Sequence, residues 1–387
     1  MKKSLSILFA AIFAACGGRS SAPSAQGSES VEYFVFVGTY TAGASEGIYV
    51  YRLNPQTGGL RLARTIQDRN NPSFLTIDIP RRRLFVVREV NNYQGTDQGA
   101  VAAYRIDPES GSLSFINAQP SGGAHPCHVT VDALGRFVFV ANYRSGTIAA
   151  FPVKEDGSLS PASTVIQHRG SGPNKSRQEG PHAHSVTLSP DGRFLLACDL
   201  GIDKVMVYQT DFSGNGLVAE PSRFAAAAPG AGPRHLTFDP SGQRIYVINE
   251  LNSSITVYDY HAEDGSLTRI ESVSALPTGF SGANTCADIH ITPDGRFLYG
   301  SNRGHDSLAA FAVDAASGKL TLLGHTPTGR TPRNFVIDPS GSYILVANQN
   351  SDSIIVMQID RQTGKLTPLQ TVSVPSPVCI QIVERFH

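Results

Sequence analysis

Apolar and polar residues alternate in short runs along most of this chain, and the runs return in one fixed order about every fifty residues. An alternating run leads into a Pro-Asp-Gly or Pro-Ser-Gly turn. A second apolar run follows, ends in Asn or Asp, and gives way to a third. The unit reads SVTLSPDGRFLLACD from Ser185, HLTFDPSGQRIYVIN from His235, DIHITPDGRFLYGSN from Asp288 and NFVIDPSGSYILVAN from Asn334. Period-two alternation bounded by glycine-bearing turns predicts β-strands. The third strand, as at Thr147 to Val153 or Ser254 to Tyr260, meets an Asp-Gly or Thr-Gly turn before a fourth strand that opens on Leu. A regular all-β repeat of this length predicts a β-propeller with one four-stranded blade per repeat.

The turn before the second strand occurs six times: at Pro80-Arg81-Arg82 in degenerate form, Ala133-Leu134-Gly135, Pro190-Asp191-Gly192, Pro240-Ser241-Gly242, Pro293-Asp294-Gly295 and Pro339-Ser340-Gly341. The two ends complete a seventh blade. Tyr33 to Val37, Gly47 to Arg52 and Leu60 to Ile66 read as second, third and fourth strands without a first, and Ser376 to Ile382 reads as a first strand with nothing after it. Joining them closes the ring and removes open sheet edges.

In such a blade the start of the innermost strand and the end of the second strand lie at the same mouth of the axial channel. Residues that only hold the fold should repeat there; residues that do chemistry should not. Six positions before the turn proline, or at the equivalent place where the turn is degenerate or absent, stand Ser73, Cys127, His184, Arg234, Ala287, Arg333 and Val378. One residue later come Phe74, His128, Ser185, His235, Asp288, Asn334 and Cys379. After the repeated Asn or Asp of the second strand stand Tyr143, Leu200, Glu250, Arg303 and Gln349. One mouth thus gathers His128, His184, Arg234, His235, Glu250, Asp288, Arg303 and Arg333, with His182 and His290 close by. Ionisable groups at this depth are costly unless paired or used. The repeated Asn142, Asn249, Asn302, Asn348 and Asp199 read as loop caps, His182 as a loop residue, and His128 and His290 equally well as satisfied core histidines. Buried arginines call for an anionic partner, which Glu250 and Asp288 or a ligand can supply. The stretch from His168 to Gly180 adds Arg169, Lys175 and Arg177, which also read as ordinary solvated loop charges.

Composition adds exclusions. Lys plus Arg and Asp plus Glu each number 32, so no nucleic-acid surface is expected. Charged residues are only 17% and glycines number 37, which suits strands and tight turns. Lys2 and Lys3 precede an apolar run, Leu5 to Ala15, that is too short to span a bilayer and has the layout of an export signal. Phe13-Ala14-Ala15-Cys16 resembles a bacterial lipobox, with Phe13 in place of the usual Leu. The expected organisation is a signal peptide over 1–15, a Gly/Ser/Ala-rich tether over 16–30 behind a lipidated Cys16, and one propeller domain over 31–387. A simple cleaved signal is the alternative. Membrane contact is expected only through the lipid anchor, in the periplasm or at the cell surface. Cys127, Cys198, Cys286 and Cys379 fall in different repeats and are expected as buried free thiols. No zinc cluster, P-loop, dinucleotide fingerprint, HExxH, EF-hand loop or nucleophile elbow occurs, so no metal or cofactor is expected.

Seven segments carry a family resemblance: GTYTAG from Gly38, HPCHV from His125, GPHAHSVTLSPDGRFLLACDLGIDKVMVY from Gly180, GPRHLTFDPSG from Gly232, NEL from Asn249, SNRGHDSLAAF from Ser301, and PRNFVIDPSG from Pro332 with VANQNSD ending at Asp352. From Tyr33 to Val383 the chain resembles the lactonase family of seven-bladed propellers, which includes propeller-type 6-phosphogluconolactonases and fungal carboxy-muconate lactonising enzymes. The resemblance implies a metal-independent site in which His184, Arg234 and Glu250 are catalytic and Arg303 belongs to the same mouth. It selects four residues that the repeat comparison also selects. The implied activity is hydrolysis of a small anionic sugar lactone by a monomeric enzyme. Water would be activated by His184 or Glu250 and the oxyanion held by Arg234, with His235, Arg303, Arg333, His128, His290 and Asp288 around the substrate. An export signal departs from the family pattern, because a phosphorylated sugar lactone is a cytoplasmic intermediate. Two other readings stand beside this one: a muconate-type lactonising enzyme, and a non-catalytic propeller that binds a glycan or a protein partner.

Overall fold

The computed structural model describes Glu32–Glu384 and Phe386; the signal, Cys16 and the tether lie outside the described residues. Seven sheets follow one another around a ring. Blade 1 is Pro377–Glu384, Tyr33–Thr39, Gly47–Leu53 and Leu60–Gln67 from the axis outward. Blades 2 to 7 begin with the inner strands Phe74–Asp78, Pro126–Val131, Ala183–Leu188, Pro233–Phe238, Thr285–Ile291 and Pro332–Ile337, and each then adds its strands in chain order. The expected seven-bladed propeller is the fold, and both chain ends share blade 1. Tyr33 faces Glu384 and Val37 faces Ile380 in that antiparallel closure.

Five of the six turns share a local cause. The residue that opens the turn accepts the backbone N–H five residues on: Asp132 from Phe137 at 2.6 Å, Ser189 from Phe194 at 3.0 Å, Asp239 from Arg244 at 2.9 Å, Thr292 from Phe297 at 3.1 Å and Asp338 from Tyr343 at 2.6 Å. The turn glycines sit in the left-handed region, as at Gly192 (φ 70°) and Gly295 (φ 73°). In the degenerate turn of blade 2 Arg82 holds that conformation instead, at φ 54°.

The core lies between blades. Second strands are buried on both faces, as in Phe137–Asn142 and Tyr343–Asn348, whereas the outermost strand Leu60–Gln67 is mostly exposed. One cluster joins Val35, Val37 and Tyr49 of blade 1 to Leu345, Ile354 and Val356 of blade 7. Blade 4 departs from the expected four strands. Its third strand, Lys204–Asp211, is covered by two short pieces, Gly216–Leu217 and Arg223–Ala226. Pro221 lies between them and has no N–H to give a ladder. Cys127, Cys198, Cys286 and Cys379 are all free and buried.

A bulge recurs at the mouth. The inner-strand register shifts between Pro126 and His128, Ala183 and Ser185, Pro233 and His235, and Pro332 and Asn334. Cys127, His184, Arg234 and Arg333 therefore have no cross-strand partner. Strict alternation would send one of two neighbouring side chains away from the axis; the bulge lets both members of pairs such as Arg234 and His235 face it.

Candidate active site

The bulged residues and those ending the second strands form one layer around the mouth. They enclose a chamber of about 210 Å³ lined by Glu89, Cys127, Tyr143, Arg177, His184, Glu250, Arg303 and Arg333. Glu250 is its organiser. Its Oε2 accepts from Arg234 Nε at 3.0 Å and pairs with Arg303 Nη2 at 2.8 Å, and its Oε1 pairs with Arg177 Nη2 at 2.5 Å. Burial alone would raise this carboxyl; Arg303, Arg234 and Arg177 outweigh it and hold it down at about 2. Burial, then Arg303 and Arg333, push Arg234 down to about 9, so the guanidinium still carries its charge at neutral pH.

His184 is 5% exposed. Burial, then Arg234, His235, Arg333 and Arg303, hold its imidazole well below the usual range, so it is neutral. Its Nδ1 lies 3.9 Å from Cys127 Sγ, and Nε2 has no hydrogen-bond partner among the described residues. Burial raises the Cys127 thiol strongly, which keeps it protonated and a poor nucleophile. Arg333 makes no ion pair among the described residues; its Nη2 donates to the Tyr40 hydroxyl at 2.8 Å. Tyr40 in turn donates to Glu89 at 3.0 Å, as does Ser73 at 2.5 Å. Arg177, Arg234, Arg303 and Arg333 set four positive charges against the two of Glu89 and Glu250, an excess of two that suits an anionic or developing-anion ligand.

Of the nine residues singled out by sequence, His184, Glu250, Arg303 and Arg333 line the chamber, and Arg234 joins them through Glu250. The other four, His128, His235, His290 and Asp288, are not among the residues lining the chamber, and most of their polar contacts are with protein groups. Asp288 receives His235 Nδ1 at 2.7 Å, His290 Nε2 at 3.1 Å, Asn334 Nδ2 at 2.5 Å and the Phe335 N–H at 3.2 Å. His128 Nδ1 accepts the Val186 N–H at 3.4 Å, and its ring packs on Phe74 with centroids 4.2 Å apart. His128, His235, His290 and Asp288, expected around the substrate, thus stand behind the chamber wall, because the inner strands carry these residues along the axis past the bulge.

Two residues of the site escaped the sequence comparison, Glu89 in the chamber wall and Tyr40 behind Arg333, and a third, Arg177, was named there only among the charges of its loop. Tyr40 and Glu89 occupy the position after the second strand in blades 1 and 2. Those strands end in Thr39 and Arg88 rather than Asn or Asp, so the marker residue was missing although the register was readable. Arg177 comes from the long connection before blade 4, which follows no repeat. Its neighbour Gln178 is fully buried and donates to the Leu200 carbonyl at 2.8 Å and Asp203 Oδ1 at 2.7 Å, while His168 Nδ1 lies 2.6 Å from Asp199 Oδ2. Both ends of the connection are thereby pinned and Arg177 is aimed at Glu250. Outside the chamber, a vestibule of about 450 Å³ shares Glu89, Tyr143 and Arg177 and adds His125, Arg144, Ser176, Glu179 and His182. His182 stacks on Tyr143 with centroids 4.6 Å apart and its Nδ1 lies 3.0 Å from the Tyr143 carbonyl. Tyr143, Arg177 and Glu89 form the neck between the two spaces.

A family model described as "Lactonase, 7-bladed beta-propeller" matches residues 34–382. The chain belongs to that family. A relative from Bacillus subtilis named 6-phosphogluconolactonase is 39% identical over 356 residues, covering 92% of this chain and 99% of the relative. A 6-phosphogluconolactonase from Formosa agariphila is 36% identical over 309 residues, 79% of this chain and 86% of that one. The solved structure of a periplasmic gluconolactonase from Pseudomonas aeruginosa superposes with a TM-score of 0.85 at 39% identity, covering 92% of this chain and 99% of that one. Among the described residues no cluster of His, Cys, Asp and Glu could hold a metal ion, and no helix is long and apolar enough to cross a membrane.

Proposed function

We propose that this protein is a lactonase that opens a sugar lactone to its aldonic acid. The observation that carries the reading is a neutral imidazole, His184, facing a small chamber in which guanidinium groups outnumber carboxylates. Water adds to the ring carbonyl carbon and His184 takes its proton; the carbonyl π pair moves onto oxygen beside Arg234 and Arg303. When the tetrahedral intermediate collapses, the bond to the ring oxygen breaks and the proton returns to that oxygen, giving a hydroxy acid. Glu250 is unsuited to be the base, since three guanidinium groups occupy its oxygens and hold its carboxyl near 2. It keeps the arginines together against their mutual repulsion. Arg333, without a carboxylate partner, is assigned to an anionic or strongly polar substituent of the lactone.

The names borne by relatives cover phosphorylated and unphosphorylated gluconolactone. The export-type segment before Cys16, which we read as a lipid-anchoring signal, favours the unphosphorylated sugar lactone outside the cytoplasm. A pH-stat assay of the mature protein with gluconolactone and its 6-phosphate tests this directly. Acid release above the spontaneous rate is expected, with H184A slower by roughly 10²–10³-fold. No acid release from any lactone would leave the chamber as a binding site only, and an unimpaired H184A would remove His184 from the chemistry.

A further inference from the structure

Arg234 is almost wholly buried, yet its guanidinium is held in a single orientation. Nε donates to Glu250 Oε2 at 3.0 Å, and Nη1 donates to the Ala287 carbonyl at 2.5 Å and lies 3.2 Å from His235 Nε2. Nη2 makes no hydrogen bond to the described residues. For the Nη1 contact to be a hydrogen bond, His235 must offer a lone pair at Nε2, so its proton must sit on Nδ1.

Asp288 imposes that tautomer. An ionised carboxylate only accepts, and Asp288 Oδ1 lies 2.7 Å from His235 Nδ1. Its other oxygen, Oδ2, is approached by His290 Nε2, Asn334 Nδ2 and the Phe335 N–H. Asn334 cannot turn over, because its own oxygen accepts the Ile380 N–H at 2.6 Å. We propose that His235, backed by Asp288, is a positioning residue for Arg234: the pair sets an imidazole lone pair against Nη1 and leaves Nη2 to meet the reacting oxygen. Blades 5, 6, 7 and 1 thus cooperate in aiming one nitrogen. The catalytic consequence rests on the lactonase reading; the tautomer does not.

The surroundings of Asp288 make a sharp test. In D288N the new amide must keep its oxygen toward the three donors at the Oδ2 position. Its NH2 then faces His235 Nδ1, the imidazole proton moves to Nε2, and an N–H confronts an N–H at Arg234. A carboxylate-to-amide change behind a histidine is known to act through the wrong tautomer in this way. The expected result is a fall in kcat of about 100-fold with KM for gluconolactone changed by less than about threefold. H235Q can donate to Asp288 and still offer an oxygen to Arg234, so it should keep kcat within about threefold, whereas H235L should fall as far as D288N. Nitrogen-15 spectra of the histidine rings should show His235 protonated at Nδ1 in the wild type and at Nε2 in D288N.

A D288N enzyme with wild-type kcat, an H235Q enzyme as slow as H235L, or a wild-type His235 protonated at Nε2 would each overturn the proposal. If the wild type hydrolyses no lactone, the functional reading falls, and the two tautomer spectra still decide whether the positioning pair exists.

Discussion

Tyr40 in blade 1 and Arg333 in blade 7 are 293 positions apart in sequence, and Arg333 Nη2 donates to the Tyr40 hydroxyl at 2.8 Å. The contact exists only because the two chain ends close the ring. Closure and assembly of the candidate site are therefore one event. The hydroxyl also stands between Arg333 and Glu89, keeping the guanidinium from forming a direct ion pair that would compete with a ligand.

Y40F should release Arg333 from that tether. Loss of one hydrogen bond to a charged group is worth about 1.5 kcal/mol or somewhat more, so KM for the lactone should rise roughly tenfold while kcat changes little. A Y40F enzyme with unchanged KM would place Arg333 outside substrate binding.

Arg177 is the arginine supplied by a loop rather than by a blade. R177L removes one of the three groups that hold the Glu250 carboxyl down and widens the neck of the chamber. Because Arg177 is about a third exposed, its ion pair contributes modestly to stability. The expected effect is a loss of about tenfold in kcat/KM, mostly in KM, with a melting temperature close to wild type. Equal losses in kcat and melting temperature would instead make the loop a structural strap.

Three histidines along the axis, His184 and His235 buried and His128 half-buried, make the fold acid-sensitive. Burial pulls His128 and His184 well below the usual range, and burial with Arg234 pulls His235 to about 4. All three are neutral in the folded chain at pH 6, whereas the unfolded chain protonates them below about 6.5. The unfolded state then binds more protons, so stability falls as pH drops through that range. With three groups the limiting slope is about 4 kcal/mol per pH unit. Urea midpoints between pH 7.5 and 5 should show it, and a flat profile would contradict imidazoles held neutral in the folded chain. By the same logic kcat/KM should stay level through pH 6.5 if His184 is the base.

Deleting Pro377–His387 should abolish folding. Val378, Ile380 and Val383 are at most 2% exposed in the closing strand, and burying each such side chain contributes about 1.5–3 kcal/mol. Their sum is comparable to the whole net stability of an ordinary domain, about 5–15 kcal/mol. A soluble truncated chain with a cooperative melt would refute a closure that depends on this strand.

The ring, its closure and the mouth that gathers the charges were legible in the sequence because blade geometry converts strand register directly into position. Depth was not legible. His184 and Arg234 differ from His235 and Asp288 by one step along an inner strand, and only the bulge decides which faces the chamber. Arg177 was visible as a loop charge near the mouth, but its aim at Glu250 was not, since the pinning of its loop by Gln178 and His168 is a tertiary matter with no periodic trace. Tyr40 and Glu89 were hidden for a simpler reason: their blades lack the terminal Asn or Asp that marks the position elsewhere.

Cys127, His184, Arg234 and Arg333 stand at bulges, and Val378 of blade 1 is passed over in the same way. None of the five matches a residue on the neighbouring strand. The wheel thus carries a set of sockets whose occupants can be exchanged without unpicking any rung of its sheets, and a lineage built on it can change its chemistry while leaving the frame untouched.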